Sequence, residues 1–169
     1  MKPIVLFGLQ FSLALVGYAL LAWWYVEPRL ARLPRELALV PLVWVHVFRF
    51  VGGTVLAPGS VGNGVHLAFQ RMVGIGDLVT SGLALLAVIA LRSRPSRALP
   101  LVWLMVIVGG LDTVNAVIQS LRDNVFVHSL GFNWVVVTSY VPALVVSSVL
   151  IVIHLVRPGA RQPIVSSPG

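Results

Sequence analysis

Five runs of residues, 3–26, 37–56, 66–91, 99–121 and 132–156, are each long and apolar enough to cross a lipid bilayer. A helix needs about 20 apolar residues to span a hydrocarbon core of roughly 30 Å. Lipid offers no partners to backbone N–H and C=O groups, which leaves helices as the structure these runs can adopt within it. The sequence therefore predicts an all-α fold, an integral membrane bundle of five transmembrane helices filling residues 1–156, each antiparallel to and packed beside the next in sequence. Composition agrees: only 10% of the 169 residues are charged, against about a quarter in a soluble domain. The connections are too short to hold a folded domain, so any activity must reside in the bundle or its mouths. The last stretch, 157–169, with Pro158, Gly159, Pro163 and Pro168, reads as a disordered cytoplasmic tail.

The net charge of +7 is nearly all arginine, and its distribution points to a membrane rather than to nucleic acid. Arg29, Arg32 and Arg35 fall in the first connection, Arg92, Arg94 and Arg97 in the third, and Arg157 and Arg161 in the tail. The second connection, 58–65, is uncharged, and the fourth balances Arg122 with Asp123. The positive-inside rule then sets the N-terminus outside and the C-terminus in the cytoplasm. Lys2 before an apolar run resembles the start of a signal peptide, but that run ends in Trp23-Trp24-Tyr25 instead of a small-x-small cleavage site, so it reads as a retained span.

Four charged residues, Arg49, Arg71, Asp77 and Asp112, stand inside the predicted spans. Each costs roughly 2.5–3.5 kcal/mol at the centre of a membrane helix, which favours their meeting inside the bundle. Counting along each helix at about 1.5 Å per residue puts Gln10 and Arg71 roughly 10 Å below the outer surface, Arg49 and Asp112 roughly 14 Å, and His46 and Asp77 roughly 18–20 Å. His66, Gln70, Gly74, Asp77 and Ser81 fall on one helical stripe, Asp112, Asn115 and Gln119 on another, and His46, Arg49 and Gly53 on a third. The expected arrangement pairs Arg49 with Asp112 and His46 with Asp77, with Arg71 and Gln10 above them; two of these pairings could be exchanged without violating depth. Gly52-Gly53, Gly74 with Gly76, and Gly109-Gly110 stand close to these charges and allow the backbones to approach. Pro142 frees a carbonyl about four residues earlier, near Thr138 and Tyr140, and is expected to widen the bundle there. Nothing comparable is expected in the cytoplasmic half.

His46-x-Phe48-Arg49-Phe50-x-Gly52, Gly76-Asp77-Leu78-Val79, Asp112-x-x-Asn115-Ala116 and Tyr140-x-Pro142 together resemble the motifs of a group of small bacterial five-span membrane proteins. The resemblance touches four spans. It implies a fold and a bacterial cytoplasmic membrane, and it transfers no activity.

Two readings of the polar cluster stand side by side. One is an ion-pair core that fixes helix register, as in a structural or accessory subunit of a larger complex or a homo-oligomer. The other is a small-molecule binding or transport site built from His46, Arg49, Arg71, Asp77, Asp112, Asn115, Gln10, Gln70 and Tyr140, with the arginines as hydrogen-bond donors, the aspartates as counter-ions and His46 as the titrating group. A membrane enzyme acting on a lipid or quinone ranks third, since Ser81 lacks a positioned base. No cofactor is expected: His66, His128 and His154 do not share the depth of His46, as a haem ligand pair must. Cysteine is absent and no histidines stand four apart, so no metal site is expected either. The expected contacts are membrane lipid and a small molecule, with no nucleic acid.

Overall fold

The computed structural model of the protein describes residues 2–157, the side chain of Ser96 excepted. Five helices long and apolar enough to cross a membrane follow one another: α1 (Pro3–Leu30), α2 (Arg35–Leu56), α3 (Leu67–Ser93), α4 (Pro95–Arg122) and α5 (Asn133–Val156). Among the described residues there is no strand. The tail beyond Arg157 lies outside the described residues.

Three of the helices are not uniform, and each departure has a local cause. Pro28 cannot donate a backbone hydrogen bond, and α1 takes it up with a π-helical turn over Ala22–Val26 before resuming to Leu30. Pro142 acts the same way in α5, where Val136–Tyr140 form a π turn. The outer part of α2, Phe48–Leu56, winds as a 3₁₀ helix. A 3₁₀ helix has three residues per turn, so Arg49, Gly52 and Val55 line up on one buried face.

α2, α3 and α4 pack in sequence order, and α5 closes on α2. The expectation of neighbouring helices packed in sequence fails for α1, which lies along α5 rather than along α2. No residue of Pro3–Leu21 is buried, because this segment touches the bundle along one narrow stripe.

Two apolar cores result. The larger, with Leu39, Val43, Leu91, Val102, Met105 and Ile151 at its centre, fills the end marked by the arginine-rich connections. The smaller, Val65, Phe69, Val125, Phe126 and Leu130, fills the opposite, loop end. There the connection after α2 is tied to the one before α5 by the Gly62 N–H donating to Ser129 O (2.6 Å) and the Asn133 amide donating to Ser60 O (3.3 Å). Gly131 makes that crossing possible: its φ is +52°, and a Cβ would lie 2.9 Å from Ser60 O. The charged residues sit between the two cores.

Candidate functional site

Arg49 is the hub. Its Nε donates to Asp77 Oδ1 at 2.5 Å and its Nη2 to Asp112 Oδ2 at 2.6 Å. Nη2 also reaches Thr113 Oγ1 at 2.9 Å, and Nη1 reaches the Gly109 carbonyl at 3.2 Å. Geometry explains why the three charges meet. Arg49 lies seven residues before Leu56, about 14 Å at the 2.0 Å rise of a 3₁₀ helix. Asp77 is ten residues into α3 and Asp112 ten residues before the end of α4, about 15 Å each at the α-helical rise. The tighter winding of α2 thus brings the arginine level with both carboxylates.

Glycines make the room. A Cβ on Gly52 would fall 1.7 Å from Asp77 Oδ2, and one on Gly76 would fall 1.9 Å from Asp112 Oδ1. Each carboxylate therefore rests directly on the backbone of the neighbouring helix. Arg49 has 5% of its side chain exposed, Asp77 13% and Asp112 11%.

The expected pairing of Arg49 with Asp112 is present, whereas His46 with Asp77 is not. His46 is buried between α2 and α5, with Nε2 3.5 Å from Ser148 Oγ and Nδ1 without a partner. Arg71 is exposed and forms no ion pair among the described residues. It is six residues from Asp77, which turns it about 120° away around an α-helix, and its long stem can carry the charge toward the membrane surface. Gln70 also leaves the cluster, its amide donating to Val65 O at 2.8 Å. Gln10 accepts from the Trp134 indole at 2.7 Å and so links α1 to α5. The Asn115 amide donates to the Met72 sulfur, as does that of Gln119. Tyr140 stays near the hub, its hydroxyl donating to the Val45 carbonyl where α2 changes from α to 3₁₀ winding.

Next to the hub lies a cavity of about 240 Å³. Arg49, Asp77, Asp112, Thr113 and Tyr140 form its polar patch, and Phe7, Phe11, Phe69, Phe126, Val136 and Leu144 are among its apolar walls. The π turn of α5 contributes Val136, Val137 and Tyr140 to the lining, as the position of Pro142 led us to expect. The 3₁₀ turn Val125–Val127 bridges α1 and α4 at the loop end, so the cavity is roofed there. Its rim instead includes Val117 and Leu121 of α4, 48% and 55% exposed. These face the gap between α4 and α1, two helices that do not pack along each other.

Nothing in the residue pattern marked Thr113 or the Gly109 carbonyl as partners of Arg49. Nor did that pattern mark a second polar group at the arginine-rich end, where none was expected. Glu27 Oε2 is 3.1 Å from His154 Nε2, and Glu27 Oε1 is 2.6 Å from Arg157 Nη1. The continuation of α1 past its π turn brings Glu27 alongside α5. Ser81, the one nucleophile weighed for enzyme chemistry, donates to the Val47 carbonyl at 2.5 Å. Among the described residues, no three of His, Asp or Glu gather into a group able to hold a metal ion.

The family model described as Domain of unknown function (DUF8737) matches residues 6–156, which take in all five helices and the hub. The chain belongs to the DUF8737 family. No curated protein and no solved structure matches it.

Proposed function

We propose that this DUF8737 protein is a multi-pass protein of the bacterial cytoplasmic membrane, N-terminus outside and C-terminus inside, that binds or transports a small molecule in the cavity beside Arg49. The observation that carries the reading is the cavity itself: a mainly apolar chamber with four phenylalanines among its walls and a few convergent polar groups, the usual make-up of a small-molecule site. With the uncharged 58–65 connection outside, the chamber lies in the outer half of the bilayer. His46 has no part in it, and the titrating groups that face the cavity are the two aspartates and Tyr140.

The test is to extract the protein gently and identify, by mass spectrometry, any small molecule that leaves the membrane with it. Ala116→Trp fills the chamber from α4. The wild type should carry a molecule that folded Ala116→Trp lacks. Equal recovery from both, or from neither, contradicts the proposal.

A second reading is an accessory subunit or homo-oligomer, favoured by the unburied segment Pro3–Leu21. A larger assembly that dissociates when this face of α1 is made bulky, with no molecule held in the cavity, supports that reading instead.

A further inference from the structure

Taking the cavity to be a binding site, as proposed above, we infer that it accepts a small apolar molecule bearing one positive charge, which arrives sideways through the gap between α1 and α4. Charge counting comes first. One guanidinium faces two carboxylates, and Arg49 is the only basic residue in the lining. When all three are ionised, the patch carries one uncompensated negative charge. A charge left unpaired away from water is costly, and a cation seated beside it offsets that cost.

Donor and acceptor inventory gives the same sign. A guanidinium has five N–H donors, and four of those of Arg49 are directed at Asp77, Asp112, Thr113 and the Gly109 carbonyl. A single Nη1 N–H is left for an anionic ligand, beside two carboxylates that would repel it. Asp77 Oδ2 and Asp112 Oδ1, by contrast, have no donor among the described residues and rest against Gly52 and Gly76, and the carboxylates they belong to line the cavity. The patch thus holds more acceptor than donor capacity.

The walls suit the rest of such a molecule. Phe7, Phe11, Phe69 and Phe126 offer aromatic faces, which attract cations as well as apolar surface. A volume of about 240 Å³ lies below the roughly 300–1,000 Å³ of pockets for drug-sized ligands, so the molecule is small. The roof at Val125–Val127 and the exposed rim at Val117 and Leu121 set the direction of approach. That direction opens to lipid close to the helix end at Arg122, near the membrane interface where an amphipathic cation concentrates.

The experiment compares benzyltrimethylammonium with neopentylbenzene, its neutral isostere, and with benzenesulfonate, all titrated into the full chain in lipid nanodiscs. Ala116→Trp nanodiscs correct for partition into lipid. We expect the cation to bind at least tenfold tighter than the isostere, benzenesulfonate not to bind, and Asp112→Asn to abolish the preference for the cation. The wild-type comparison stands alone if that variant does not fold. Neopentylbenzene binding as tightly as the cation, and lost in Ala116→Trp, overturns the charge assignment while leaving the binding site intact. No cavity-dependent binding of any probe counts against the site itself. For the route, Phe11→Cys and Val117→Cys are joined by a bifunctional thiol reagent in this cysteine-free chain. Association of the cation should slow at least tenfold, and an unchanged rate overturns the side approach.

Discussion

A single guanidinium shared by two carboxylates stands at the centre of the molecule, and two glycines decide whether it can form. Gly52→Ala and Gly76→Ala would each put a methyl group within 2 Å of the outer oxygen of a carboxylate whose other oxygen is held by Arg49. Overpacking of this kind costs about 1–3 kcal/mol, and here it also breaks an ion pair. Unfolding in mixed detergent and lipid should show each variant at least that much less stable. Gly110→Ala, with nothing within 4 Å of its added Cβ, should unfold like the wild type. At this scale the sequence was partly legible. Depth counting found Arg49 with Asp112, because both positions are measured from clear helix ends. It did not show that Arg49 would hold Asp77 and Asp112 together, because an apolar run reads the same whether it winds as α or 3₁₀. Arg71 was misplaced by depth alone. Its angular position relative to Asp77 already turned it off the shared stripe.

At the scale of the element, the five apolar runs match the helices to within a few residues, since hydrophobic length fixes a span. Two runs extend by four residues: α4 begins at Pro95 rather than at residue 99, and α1 reaches Leu30 rather than residue 26, where Pro28 enters through a π turn and Glu27 finds partners near the end of α5. Packing partners were not legible: sequence order paired α1 with α2, whereas polar links at both ends hold it to α5, Gln10 with Trp134 and Glu27 with His154 and Arg157. Glu27→Ala should loosen the end of α1 nearest the arginine-rich connections. With Arg157 46% exposed, the expected loss is modest, about 1 kcal/mol. Hydrogen exchange should speed up over Ala22–Leu30 and stay unchanged in α3. Unaltered exchange in α1 contradicts the role of this link.

At the scale of the whole molecule, orientation rests on arginine distribution and is directly measurable in a chain without cysteine. Asn63→Cys, in the uncharged second connection, should react on intact cells with a membrane-impermeant maleimide. Leu33→Cys, between α1 and α2, should react only after the cells are opened. The reverse pattern would turn the chamber toward the cytoplasmic leaflet. The cavity itself was beyond sequence reading, since it arises where α1 and α4 fail to pack along each other, a relation between helices far apart in the chain.

The claim on which the rest depends is that Arg49, Asp77 and Asp112 form one buried, mutually dependent group. Reversible unfolding in a fixed detergent and lipid mixture tests it with Arg49→Met alone and with Arg49→Met, Asp77→Asn and Asp112→Asn combined. Removing one partner of a buried ion pair costs about 3–5 kcal/mol, while neutralising the whole group costs far less. The account predicts a large loss for the single variant and recovery of most of it in the triple. A single variant as stable as the wild type, or a triple whose losses simply add, contradicts it.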